Sequence, residues 1–166
     1  GEIDYKPGLS GQRAHMNATP LLASLAWKIF ECTNDLSGLE AAIEPLVRFY
    51  NSWFTAPRDR DSDGIPEWSN LSQTGLDEHP IFSHRCFNGQ GVDPACIESP
   101  DLCAYLYHEN TALQKLAGML GREDLIDMLA PSAELLKAAI LTSWNNVDNC
   151  FHYWDRDTHL ATGPTV

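Results

Sequence analysis

Arg58-Asp59-Arg60-Asp61-Ser62-Asp63-Gly64-Ile65-Pro66-Glu67-Trp68-Ser69-Asn70-Leu71-Ser72-Gln73-Thr74-Gly75-Leu76-Asp77-Glu78-His79-Pro80 organises this 166-residue chain. It packs six carboxylates, one Trp, two Gly and two Pro between segments with helical periodicity. Asp59, Asp61 and Asp63 alternate and then meet Gly64. Asp77 stands apart, in a Gly-Leu-Asp-Glu-His-Pro turn. The first set has the spacing of an ion site; the second has the setting of an acid.

Asp59, Asp61, Asp63 and Glu67 place carboxylates at relative positions 1, 3, 5 and 9, with the Ile65 carbonyl at position 7. A calcium ion takes about six to eight oxygens, and a glycine such as Gly64 permits the sharp turn that wraps a loop around it. The EF-hand pattern fails at position 12, where Asn70 stands instead of a bidentate Glu. The loop is therefore expected to bind a structural calcium ion without an EF-hand domain. Clustered Asp with Gly also forms plain solvated turns, but like charges repel and are costly to hold together without a cation.

Outward from this stretch, four segments have helical periodicity. Residues 19–33 follow Thr19-Pro20, a cap-and-proline start. Residues 37–54 begin with Ser37 and Glu40 at capping-box spacing. Residues 99–120 open on Ser99-Pro100 and close at Gly121. Residues 123–145 contain Pro131, which predicts a kink. Strand signals are weak, with residues 151–154 expected as one short strand. The order helix, short turn, helix, long loop, helix, short turn, helix predicts an all-α fold of helical hairpins. Antiparallel pairing then gathers the N-terminal arm, the 55–98 loop and the C-terminal tail at one end. A loop of that length is normally functional or disordered, and its Trp, Phe and Asp content favours function.

The composition allows one domain or part of one, with 43% hydrophobic and 20% charged residues. The net charge of −12 argues against a nucleic-acid backbone or an anionic membrane as partner. No apolar run reaches the roughly 18 residues of a membrane span, and residues 1–8 show no apolar signal core. The compartment stays open, with a soluble, cytoplasmic location slightly favoured. Five cysteines without CxxC spacing fit neither a disulfide framework nor a zinc cluster. Cys32 and Cys103 read as small buried apolar residues, while Cys86 and Cys96 flank a Gly-rich loop at which they could pair. None of His15, His79, His84, His108, His152 and His159 shows paired metal spacing. No G-x-S-x-G elbow occurs, and the 87–93 loop lacks the Lys-Ser/Thr of a phosphate loop.

Asp61-x-Asp63-Gly64-Ile65-Pro66-Glu67-Trp68, followed by Gln73-Thr74-Gly75-Leu76-Asp77-Glu78-His79-Pro80, resembles the motif block of the (α/α)6-barrel glycoside hydrolases. The resemblance is to glycoside hydrolase family 63 and its relatives, including trehalase-like, mannosylglycerate hydrolase-like and amylo-α-1,6-glucosidase-like proteins. Thr19-Pro20-Leu21-Leu22-Ala23 resembles the segment before the block. Val92-Asp93, Trp144 and Tyr153-Trp154-Asp155-Arg156-Asp157 resemble the segments after it. The resemblance implies an inverting hydrolase of α-linked glucosyl or mannosyl saccharides, with Asp77 as general acid. An inverting pair stands about 6.5–9.5 Å apart, so neighbouring Glu78 is a poor base. The family's general base lies beyond the C-terminal end of this chain, and its barrel needs twelve helices against the four counted here. Residues 1–166 are thus expected to be a partial catalytic domain lacking the C-terminal helices.

Trp68 is expected either as an aromatic platform for a sugar ring or as a core residue under the long loop. Gln73, Glu78 and His79 are placed as substrate contacts. Asp93 either contacts substrate or caps the next segment. Asn17-Ala18-Thr19 and Asn70-Leu71-Ser72 match the low-specificity glycosylation pattern. A different class of function remains open: a non-catalytic, calcium-dependent interaction module using the same Asp loop, or a helical scaffold whose acidic loop is only surface. Neither has a use for Asp77.

Overall fold

The computed structural model describes residues 2–4, 16–75 and 93–164. Four long helices dominate: α1 (Leu22–Thr33), α2 (Leu36–Asn51), α4 (Pro100–Met119) and α5 (Glu123–Ser143). The short helix α3 (Leu71–Thr74) lies in the long connection. Central α4 packs most extensively along α5 and also meets α1 and α2. Its buried positions Leu102, Leu106, Leu113 and Leu116 follow the three- and four-residue spacing of one helix face. Burying each such leucine contributes about 2 kcal/mol.

The helix ends partly follow the sequence. Ser99 Oγ accepts the Leu102 amide at the start of α4, and Gly121 at φ +65 takes the left-handed position just past its end. The starts of α1 and α2 are corrections. α2 is capped by Asp35, whose carboxylate accepts the Ser37 and Gly38 amides, and not by Ser37. α1 has no local side-chain cap. Glu109 of α4 supplies one instead, accepting the Ala23 amide at 2.7 Å, the Ser24 amide at 2.9 Å and the Ser24 hydroxyl at 2.5 Å. The cap thus comes from a residue 86 positions away. α5 continues through Pro131 as one helix.

The expected short strand is present as β3 (Cys150–Asp155). It is the hub of a four-stranded antiparallel sheet with β1 (Ile97–Glu98), β2 (Trp144–Asn145) and β4 (Ala161–Pro164). The last three escaped the sequence because strands this short carry too little alternation to read. Cys103 is buried as expected, whereas Cys32 is exposed; Cys86 lies outside the described residues, so its pairing with Cys96 does too. Asn17 is fully buried, so its glycosylation match is shielded.

Trp53 and Trp68 meet edge-to-face at 5.7 Å, and Trp68 meets Tyr105 at 6.3 Å. Among the described residues, α1 carries exposed Leu25 and Ile29, and α5 carries exposed Met128 and Leu141. No described helix is long and apolar enough to cross a membrane.

Candidate functional site

The aspartate loop, β1 and the β3–β4 turn meet at one place. The chain turns at Ser62 (φ +63) and Gly64 (φ +88), and Asp63 Oδ1 accepts the Ile65 amide at 2.7 Å. Backbone bridging pairs Glu67 with Glu98. The β3–β4 turn is closed by the Asp155 carboxylate, which accepts from Thr158, and it delivers His159.

The result is a cluster in which Asp61, Asp63, Glu98 and His159 offer ligand atoms all within 4.8 Å of one another. His159 Nδ1 lies 3.2 Å from Glu98 Oε1 and Nε2 lies 3.8 Å from Asp61 Oδ2. Neither contact has good hydrogen-bond geometry, and the buried Glu98 Oε1 has the His159 imidazole as its neighbour. Buried Asp59 has one orphaned carboxylate oxygen and fully buried Glu67 has both. Such groups are normally paired or bound to an ion.

The electrostatics record the crowding. Burial, reinforced by the Asp61 charge, pushes the Glu67 carboxyl from 4.5 up to about 8. The Arg156 charge and the Arg60 backbone amide oppose that rise only in part. Burial and then the Asp63 charge push Glu98 up as well. Asp59 and Asp63 move in the same direction, again chiefly through burial.

Of the five ligands expected from spacing, Asp61 and Asp63 enter the tight cluster. Asp59 and Glu67 stand outside it, close enough to act through their charge. Glu98 and His159 were missed. They come from segments 35 and 96 residues beyond Asp63, and no linear spacing connects them to the loop. A cavity of ≈ 230 Å³ opens beside the cluster, walled by Asp63, Glu98 and His159 on one side and by Leu135, Ala139 and Trp154 on the other.

The substrate contacts expected from sequence fall differently. Trp68 is fully buried; it is the core residue, not an exposed sugar platform, because Trp53 and Tyr105 cover its edges. Gln73 is buried and its side chain is used internally: Oε1 accepts the Ser69 and Asn70 amides, and Nε2 donates to the Asn17 carbonyl at 2.7 Å. Asp93 is a cap, accepting the Ala95 amide at 3.1 Å. Asp77, Glu78 and His79 lie outside the described residues. The chain enters their segment from α3, which ends at Gly75 in the left-handed region (φ +69).

The mostly helical chain has the fold of the (α/α)6 glycoside hydrolase type. The mannosylglycerate hydrolase MGH1-like glycoside hydrolase domain matches residues 6–165, and the chain belongs to that family. No curated protein matches it by sequence. Among solved structures it is similar to the GH63 mannosylglycerate hydrolase from Thermus thermophilus. With glucose bound, that structure gives a TM-score of 0.69 at 16% identity, covering 96% of this chain and 49% of the other. With Tris bound, the values are 0.72, 13%, 97% and 52%. An uncharacterized conserved protein from the same organism gives 0.68 at 14% identity, covering 91% and 46%. At such identities the likeness concerns the fold. The chain spans about half the length of these structures.

Proposed function

We propose that this chain is the acid-bearing half of an inverting glycoside hydrolase domain acting on α-linked glucosyl or mannosyl saccharides. The observation that carries the reading is the family match across residues 6–165, which includes the Gly75-Leu76-Asp77 turn. Asp77 is the general acid: its proton passes to the glycosidic oxygen as the bond to the anomeric carbon breaks. A carboxylate outside this chain takes a proton from the water that attacks the opposite face. A general acid in this role needs a pKa raised enough to stay protonated for this step. The glucose in a structural neighbour supports a saccharide substrate.

The acidic cluster is read as a structural calcium site: Asp61, Asp63 and Glu98 supply three hard oxygen donors, and the His159 imidazole in the same cluster pairs with the carboxylates rather than serving as a calcium ligand. The ion would neutralise the clustered carboxylates and brace the loop that leads to the acid turn.

The test is turnover of α-glucosyl and α-mannosyl substrates by a longer protein containing residues 1–166, with and without Asp77→Asn. Loss of turnover in the variant is expected; full activity in Asp77→Asn removes Asp77 from the mechanism. The purified chain 1–166 is expected to be inactive for want of a base. A calcium-dependent interaction module without chemistry would instead show a calcium effect and no hydrolysis in any length of protein.

A further inference from the structure

α4, α5 and β3 enclose a second cavity, of ≈ 290 Å³, walled by Pro100, Asp101, Ala104, Ile140, Phe151 and Tyr153. Phe151 and Tyr153 stand two apart on β3, the spacing of one strand face. Trp144 meets Phe151 edge-to-face across the β2–β3 pair, with ring centroids 5.0 Å apart at 70°. This aromatic pair is not core: Trp144 is 41% and Phe151 42% exposed. Asp101 sits in the first turn of α4, and its carboxylate accepts the Ser99 hydroxyl, which fixes its direction. Ala104 follows on the exposed side of α4, and its small side chain leaves the cavity floor open. Burial, reinforced by the Asp101 charge, pushes the Tyr153 phenol up, so Asp101 alone supplies negative charge there.

The chemistry of these walls selects the ligand. Among the described residues no Lys, Arg or His lines the cavity, so an anion has no partner there. An aromatic ring beside an oriented carboxylate suits a molecule with C–H groups on one side and hydroxyls on the other. We infer that this cleft binds a neutral pyranose, its C–H face stacked on Phe151 and its hydroxyls donating to Asp101. The inference rests on the reading of this chain as part of a saccharide-cleaving domain, and it makes no use of Asp77. An organic ammonium ion is the competing occupant, since aromatic faces also attract cations. The glycoside hydrolase family of the chain favours the sugar. The cleft holds the sugar; no bond forms or breaks in it.

The experiment is saturation-transfer NMR on chain 1–166 with methyl α-glucopyranoside, methyl α-mannopyranoside and, separately, tetramethylammonium. Transfer to the ring protons of a sugar is expected, with an affinity of roughly 1 mM, the usual strength for so small a ligand. Phe151→Ala should weaken binding about 10-fold. Ala104→Leu fills the floor and should abolish it. That position is exposed on a helix and leucine is a good helix former, so the melting temperature should hold, which guards against misfolding of the Phe151 variant. Unchanged binding in either variant, no transfer to either sugar, or binding of tetramethylammonium in preference to both overturns the inference. Turnover by a longer protein containing residues 1–166 separates the two readings. If the chain binds sugar, Ala104→Leu does not, and no length of protein hydrolyses a glycoside, the hydrolase reading fails alone. If the longer protein turns over and no sugar binds at this cleft, the cleft fails alone.

Discussion

Glu67 and Glu98 are partners across a single antiparallel bridge, and both carboxylates are buried there. Two like charges in a dry place destabilise the fold unless protonated or neutralised. The Arg156 guanidinium donates to the Ala95 carbonyl and pairs with Asp157 instead, and its influence on Glu67 is only partial. The pair is thus the point at which the ion reading can be tested on the isolated chain.

Calcium at about 100 times its Kd should raise the melting temperature of residues 1–166 by roughly 5–10 °C. Asp63→Asn combined with Glu98→Gln should abolish the shift. Retention of the shift in that double variant removes both residues from the ligand set. Differential scanning calorimetry with and without chelator reads both outcomes.

The metal-free chain should lose stability as pH rises. Glu67 has a folded-state pKa raised from 4.5 to about 8, so the folded state holds a proton that the unfolded state releases. Its stabilising contribution is complete below pH 4.5 and fades as pH climbs through about 8. Glu98 shifts in the same direction and adds to the slope. Urea titrations across this range should show the decline, and Glu67→Gln should flatten it.

Gly64→Ala should cost about 1–3 kcal/mol, the usual cost of a non-glycine residue in a strained backbone region. Gly64 sits at φ +88, and an added Cβ would stand 2.7 Å from Leu135 Cδ2 on α5. Urea denaturation measures the loss. A neutral result would mean that the loop relaxes freely away from α5.

Glu109→Gln should destabilise the chain by about 2 kcal/mol, because a charged acceptor of three hydrogen bonds is replaced by an amide that opposes one of them. That corresponds to a drop of roughly 4–8 °C in melting temperature. Hydrogen exchange should show the loss concentrated at the first turn of α1, at the Ala23 and Ser24 amides. Uniform loosening of the whole chain would argue against a local cap.

The four long helices were legible because each repeats an apolar face over many turns, and the Ser99 and Gly121 signals are local chemistry. The caps of α1 and α2 show the limit of that reading. Thr19-Pro20 has the right composition for a start, but Glu109 satisfies the α1 amides from across the core. β1, β2 and β4 were not legible, since two to four residues show no period. Gln73 reads as a surface ligand, and Trp68 as either a sugar platform or a core residue, because they lie in a motif loop; burial is a property of what packs over them.

The sequence by itself determined the helical hairpin order, the family motif with Asp77 in its turn, and the alternation of Asp59, Asp61 and Asp63. These are features of neighbouring residues, and backbone geometry reads them locally. Only the tertiary structure decided that Glu98 and His159 complete the acidic cluster, that Glu67 stands buried beside it, and that Gln73 is spent on holding α3. Those relations join segments dozens of residues apart. Chain spacing carries no information about which distant carboxylate a fold will bury next to a loop.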